Sequence, residues 1–192
     1  APGDTERRRS TILFADLTGF TAMTEQLGAE RAYPIAVGCL RMLDEVAVKH
    51  GGRVGKYLGD CVMALFGVAE AMEDAPRAAV NAAIEMRRRV REYNKSVDVP
   101  IALDVHSGIN VGLGIAGEAA GSLLREFTVM GDPVDVADAL KDLAPSGRIY
   151  VGGEIQRFTN DVFAYEPRAS LLLRGAREAL PVFELITEHE HL

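Results

Sequence analysis

Hydrophobic positions along this chain switch repeatedly between strand and helix periodicity. Ile12–Ala15 is a short unbroken apolar run, which suits a buried strand. It ends on Asp16, and Thr18 and Gly19 then supply a cap and a bend for a short helix reaching about Gly28. Helical spacing of Ala36, Val37, Leu40, Leu43, Val46 and Ala47 predicts a helix from about Glu30 to His50. Pro34 belongs in its first turn, and Gly51-Gly52 stops it. Arg53–Leu58 and Cys61–Phe66 read as strands of a tight hairpin around Gly59-Asp60. A helix follows from about Asp74 to Tyr93, with Ala79, Ala82, Ala83, Met86 and Val90 on one side. Ile101–Ile115 is a strand punctuated by glycine, expected to bend or bulge at Gly108, Gly112 or Gly114. Leu123–Met130 reads as a further strand. Asp132-Pro133 opens a helix to about Leu143, and Arg148–Val151 returns to strand. Glu154–Asn160 suits a short helix, while Leu171–Leu173 and Val182–Ile186 suggest an outer hairpin.

Strand, helix, strand, strand, helix, strand is the split βαββαβ order. The predicted class is α+β: a ferredoxin-like core with an added C-terminal β-hairpin. In that topology the first and third strands are antiparallel neighbours, so Asp16 and Asp60 meet at one sheet end. Taken singly, each aspartate also reads as a turn residue. Taken as a pair, they repel unless a cation separates them, and without one a carboxyl should resist ionisation. Carboxylates beside a helix start suit a site where metal ions and backbone amides hold a polyphosphate.

Composition narrows the functional classes. The chain has 192 residues and a formal charge of −7, which disfavours a general nucleic-acid binder. Arg7-Arg8-Arg9 is expected to flank the first strand, and Arg87-Arg88-Arg89-Arg91 to line a solvated helix face. Cys39 and Cys61 fall in a helix and a strand pattern, so a reduced, cytoplasmic setting is the simpler expectation. No apolar run approaches the ~18–20 residues of a membrane span, and no secretory signal is visible. The opening Ala-Pro-Gly suggests a piece of a longer protein. Residues 8–187 are expected to form one domain, with loose ends at 1–7 and 188–192. His50 and His106 read as structural, and His189 and His191 as tail residues.

Phe14-Ala15-Asp16-Leu17-Thr18-Gly19-Phe20-Thr21 and Lys56-Tyr57-Leu58-Gly59-Asp60 resemble the two metal-binding motifs of class III nucleotidyl cyclases. The likeness continues through Val105–Asn110, Thr128–Val134 and Ser146–Val151, and ends near Leu173-Arg174-Gly175. It implies a domain converting a nucleoside triphosphate to a 3′,5′-cyclic monophosphate and pyrophosphate. Head-to-tail dimers would form the sites at the subunit boundary. Asp16 and Asp60, with the Leu17 backbone, would hold two Mg²⁺ or Mn²⁺ ions. Leu17, Thr18, Gly19 and Phe20, and more loosely Arg174, would hold the triphosphate. Lys56 and Thr128 would read the base, and Thr128 resembles the adenylate type, favouring ATP over GTP. No membrane segment or nucleic acid enters this picture. A polymerase-palm relative would share the carboxylates, but its Gly-Gly-acidic hairpin motif is missing from the sequence.

The resemblance departs at three positions. Asp135 stands where the family has a ribose-orienting Asn, and Ala139 where it has an Arg that stabilises charge at the α-phosphate. Ala102 stands where many relatives carry a triphosphate-binding Arg. Lys141 lies two residues beyond Ala139, a turn of ~200° on a helix, and so is not placed to substitute. Asp135 suits a helix first turn electrostatically. Two outcomes are consistent with this pattern. One is an adenylate cyclase that is weak as a homodimer. The other is a degraded, dimerising nucleotide-binding module, or the metal-donating half of a heterodimer.

Overall fold

The computed structural model describes residues 6–67, 72–116 and 132–188. β1 (Glu6–Thr18) leads through α1 (Phe20–Leu27) and α2 (Ala29–Lys49) to β2 (Arg53–Leu58) and β3 (Cys61–Phe66). Then come α3 (Ala75–Ser96), β4 (Asp104–Ala116), α4 (Asp132–Leu143), β5 (Ile149–Gly152), α5 (Gly153–Thr159), β6 (Phe163–Leu171) and β7 (Leu180–Glu188). The seven strands form one sheet in the order β2-β3-β1-β4-β5-β7-β6. Its first four strands are the expected split βαββαβ core. β5 adds in parallel to β4, and the β6–β7 hairpin closes the far edge.

Helices cover both faces, and β1 shows why. Leu13, Ala15 and Leu17 are buried with Cys39, Leu43 and Val46 of α2 and Ala79, Ala83 and Met86 of α3. Ile12 and Phe14 point the other way, into a cluster with Met63, Leu65 and Ala137 of α4. Such two-sided burial explains why β1 and β3 read as continuous apolar runs rather than alternating ones. Cys39 and Cys61 are free and buried, and burial pushes both thiols up to about 12. Among the described residues, no helix is long and apolar enough to cross a membrane.

Several local expectations change. β1 starts at Glu6, so the arginine triplet lies within the strand rather than flanking it, and β7 runs to Glu188. Residues 1–5 and 189–192 lie outside the described residues, as do Thr128 and the strand expected at Leu123–Met130. Pro34 sits beyond the first turn of α2, which starts at Ala29. The hairpin's first strand is Phe163–Leu171, upstream of the expected Leu171–Leu173. It is the sheet's outer strand, where Pro167 need not donate to a ladder. No bulge interrupts β4 against β1: the register runs unbroken from Glu6↔Ala116 to Thr18↔Asp104. The irregularity lies instead in β2, between Val54 and Lys56.

Just before β4 the chain is fixed by one side chain. Asn94 Nδ2 donates to the Leu103 carbonyl at 2.7 Å, and the Leu103 amide donates to Asn94 Oδ1 at 2.9 Å. Asn94 thus imitates a neighbouring strand for a residue that is fully buried. Asn94→Ala would leave both main-chain groups unpaired, with an expected loss of about 1–3 kcal/mol, measurable by urea denaturation.

Candidate active site

The site forms where β1 ends. Asp16 pairs in register with Cys61 on one side and His106 on the other. The Leu17 amide donates to the Asp60 carbonyl at 3.0 Å, fastening the β2–β3 turn to the end of β1. Asp16 and Asp60 therefore come together, as the topology predicted. Burial and the Asp16 charge push the Asp60 carboxyl above its usual range. Burial also works against an ionised Asp16, yet hydrogen bonding and charge from His106, with Lys141 behind, hold it below the usual range.

His106 and Lys141 are the two site residues that sequence reasoning missed. In the sequence His106 reads as structural, but its Nε2 lies 3.4 Å from Asp16 Oδ2. Its Nδ1 is 2.7 Å from the Lys141 carbonyl, which can only accept, so Nδ1 carries a proton. With Nε2 facing a carboxylate, the imidazolium is favoured, and the Asp16 hydrogen bond raises the His106 pKa against the effect of burial. Lys141 Nζ is 3.9 Å from the same Asp16 oxygen and is held by Asp138 at 2.8 Å and Asp142 at 3.0 Å. On α4, Ala139 and Lys141 project ~200° apart around the helix. The Lys141 side is the one that meets the sheet and Asp16. His106 was discoverable from the β1–β4 register once the topology was assumed. Lys141 had no such signal, because only the seat of α4 on the sheet brings it there.

Beyond Asp16 the chain turns at Gly19 (φ 93°), where a Cβ would lie 2.8 Å from the Ala102 carbonyl. Gly19 thus serves both as a left-handed turn and as a close approach. The expected Thr18 cap does not form: Gly19 is the N-cap of α1 without a side-chain bond, and the Thr18 hydroxyl pairs with Ser146 at 2.7 Å. The Leu17 amide is already committed to Asp60, which removes it from the expected phosphate donors. Met23 is the residue whose amide returns to Gly19, so the amides of Phe20, Thr21 and Ala22 have no intrahelical partner. Ala102, opposite this turn, is where the resemblance would have supplied an arginine.

Lys56 is exposed on the outer strand β2, and Asp135 is exposed on α4, with half-buried Ala139 one turn further. Arg174 is exposed in the β6–β7 connection, at the opposite side of the sheet from β2. The described chain does not bring Arg174 to the carboxylates.

The residues present fit a divalent cation. Asp16 Oδ1 is buried and has no hydrogen-bond partner, and it adjoins a carboxyl that resists ionisation. Among the described residues, no group of three or more His, Cys, Asp or Glu side chains assembles for a metal. Two carboxylates completed by main-chain and phosphate oxygens is a donor set suited to Mg²⁺ or Mn²⁺.

The family profile of the adenylate and guanylate cyclase catalytic domain matches residues 5–187. The chain belongs to that family. This cyclase domain is 26% identical to an adenylate cyclase of Anabaena cylindrica, over 95% of this chain and 38% of that protein. It is 23% identical to adenylate cyclase 1 of Rhizobium meliloti, over 94% of this chain and 28% of that one. The cyclase domain thus spans well under half the length of these relatives. Its fold matches the adenylyl cyclase CyaB from P. aeruginosa with a TM-score of 0.81 at 23% identity, covering 98% of this chain and 99% of that one. It also matches the catalytic core of a rhodopsin-guanylyl cyclase with converted specificity, solved with ATPαS, at TM-score 0.80, 18% identity and 98% and 99% coverage.

Proposed function

We propose that this domain converts ATP to 3′,5′-cyclic AMP and pyrophosphate at a boundary between two subunits, slowly as a homodimer. The observation that carries this reading is the Asp16–Asp60 pair, with its orphaned buried oxygen and its raised carboxyl. Divalent ions bound there, two of them by family resemblance, would activate the ribose 3′-hydroxyl and neutralise the leaving pyrophosphate. The chain's own residues do the rest of the positioning. His106 holds the Asp16 carboxylate in one orientation. The turn at Gly19 and the first amides of α1 face a triphosphate with the positive end of a helix. Lys56, exposed on an outer strand, is free to read a base in the site of a second copy. ATP is favoured because several relatives are named adenylate cyclases and because Thr128 resembles the adenylate type.

A second reading has its own support. Asp135 and Ala139 lie four residues apart on one face of α4 and present a carboxylate and a methyl group where the family uses two donors. On this reading the domain is a regulatory module that binds nucleotide and dimerises, or it gives cations to a partner that brings Asn and Arg.

The test is purified protein incubated with ATP or GTP in Mn²⁺ and in Mg²⁺, with product analysis. Cyclic AMP from the unaltered chain supports the enzyme. Asp135→Asn with Ala139→Arg is expected to raise kcat by about 10²–10³, the usual weight of one preorganised donor. Silence from the unaltered chain, with turnover only in the double variant, supports the second reading. No turnover and no Mn²⁺-nucleotide binding in either would refute the cation-site assignment.

A further inference from the structure

Lys141 is a charged group beside Asp16 to which the proposed reaction gives no task. Its side chain is 11% exposed, and its ammonium lies 5.9 Å from the centre of the Phe14 ring. Asp138 and Asp142 fix the ammonium from the solvent side, at 2.8 Å and 3.0 Å. The Lys141 backbone is fixed as well. Its carbonyl accepts from His106, and its amide nitrogen packs over Gly108, where a Cβ would come within 2.3 Å. Contact with Asp16 Oδ2, at 3.9 Å, exceeds a hydrogen bond, so the ammonium acts on that carboxylate through charge.

The two oxygens of Asp16 therefore have opposite surroundings. Oδ2 faces both His106 and Lys141, whereas Oδ1 is buried and unpartnered. The geometry points to Lys141 as a tethered cation that competes with divalent ions for Asp16 and keeps the site's cation affinity low until nucleotide arrives. This rests on reading Asp16 and Asp60 as the cation site. An ion approaching Asp16 meets a positive charge already held within 4 Å of its ligand. Asp138 and Asp142 offset part of that field, but they also keep the ammonium charged and in place. A triphosphate supplies enough negative charge to bring ions in despite it. Lys141 is a positioning residue here, acting through Asp16 rather than on substrate.

The experiment measures Mn²⁺ binding to the nucleotide-free protein by electron paramagnetic resonance of the free ion. Lys141→Met is expected to tighten binding about tenfold, a size in keeping with charges a few ångströms apart near a protein surface. Lys141→Arg should keep the unaltered affinity. Lys141→Gln retains hydrogen bonding to Asp138 and Asp142 without the charge, and should tighten binding as Met does. Unchanged or weaker Mn²⁺ binding in both neutral variants overturns the tethered-cation role, provided Asp16→Asn still abolishes binding. Mn²⁺ binding that survives Asp16→Asn overturns the site reading itself, and this inference with it.

Discussion

Asp60→Asn is expected to lower cyclic AMP formation at least a thousandfold, while the metal-free protein melts no lower than the unaltered one. The two halves have a common cause. Asp60 is held against Asp16 by the Leu17–Asp60 main-chain bond, so its carboxyl is raised by burial and by its neighbour's charge. An asparagine of the same shape removes that repulsion, so without a cation nothing is lost and some stability is gained. With a cation, the amide would remove one anionic ligand, so the site would lose affinity for the ion and with it the charge that neutralises a polyphosphate. Activity and a thermal melt in EDTA, measured on the same preparation, check both halves. A variant that melts well below the unaltered protein would show that Asp60 serves the fold instead. Asp16→Asn should be as inactive, but it also strips His106 and Lys141 of their shared partner, so its melt should fall.

Gly108→Val is expected to destabilise the domain by about 3 kcal/mol or more, at the upper end for overpacking. A Cβ at Gly108 would lie 2.3 Å from both the Ala137 carbonyl oxygen and the Lys141 nitrogen, and neither backbone atom can rotate away. α4 would have to lift off β4, taking Ala137 out of its cluster with Phe14 and Met63 and drawing Lys141 from Asp16. Urea denaturation checks the energy. Gly59→Ala is the contrast: its Cβ would meet nothing within 4 Å, so only the positive φ of 67° opposes it. That should cost about 1–2 kcal/mol.

These cases also show what the sequence could and could not convey. Asp16 and Asp60 were legible because strand order alone makes the end of β1 meet the start of β3. Gly108 was legible as unusual but not for the right reason. A glycine in a strand suggests a bulge, whereas here it clears space for the backbone of a helix more than twenty residues away in sequence. Phe163–Leu171 was missed because an outer strand carrying Glu166, Pro167 and Arg168 has no apolar run to announce it. Three successive arginines show no apolar period that would mark them as part of β1. The β4 partners that make those residues strand lie a hundred residues on. Local spacing cannot place Lys141 beside Asp16, because only the packing of α4 on the sheet brings them together.

The unbroken ladder between β1 and β4 has a mechanical corollary. Thirteen consecutive residues of β1 are paired, from Glu6 to Thr18, and Asp16 rides near the end of that row. Sliding β1 by one residue would turn Ile12 and Leu13 to the opposite faces and break the core on both sides. A pull on Glu6 therefore cannot nudge Asp16 alone. Tension applied there is transmitted to the sheet as a body rather than to the site alone.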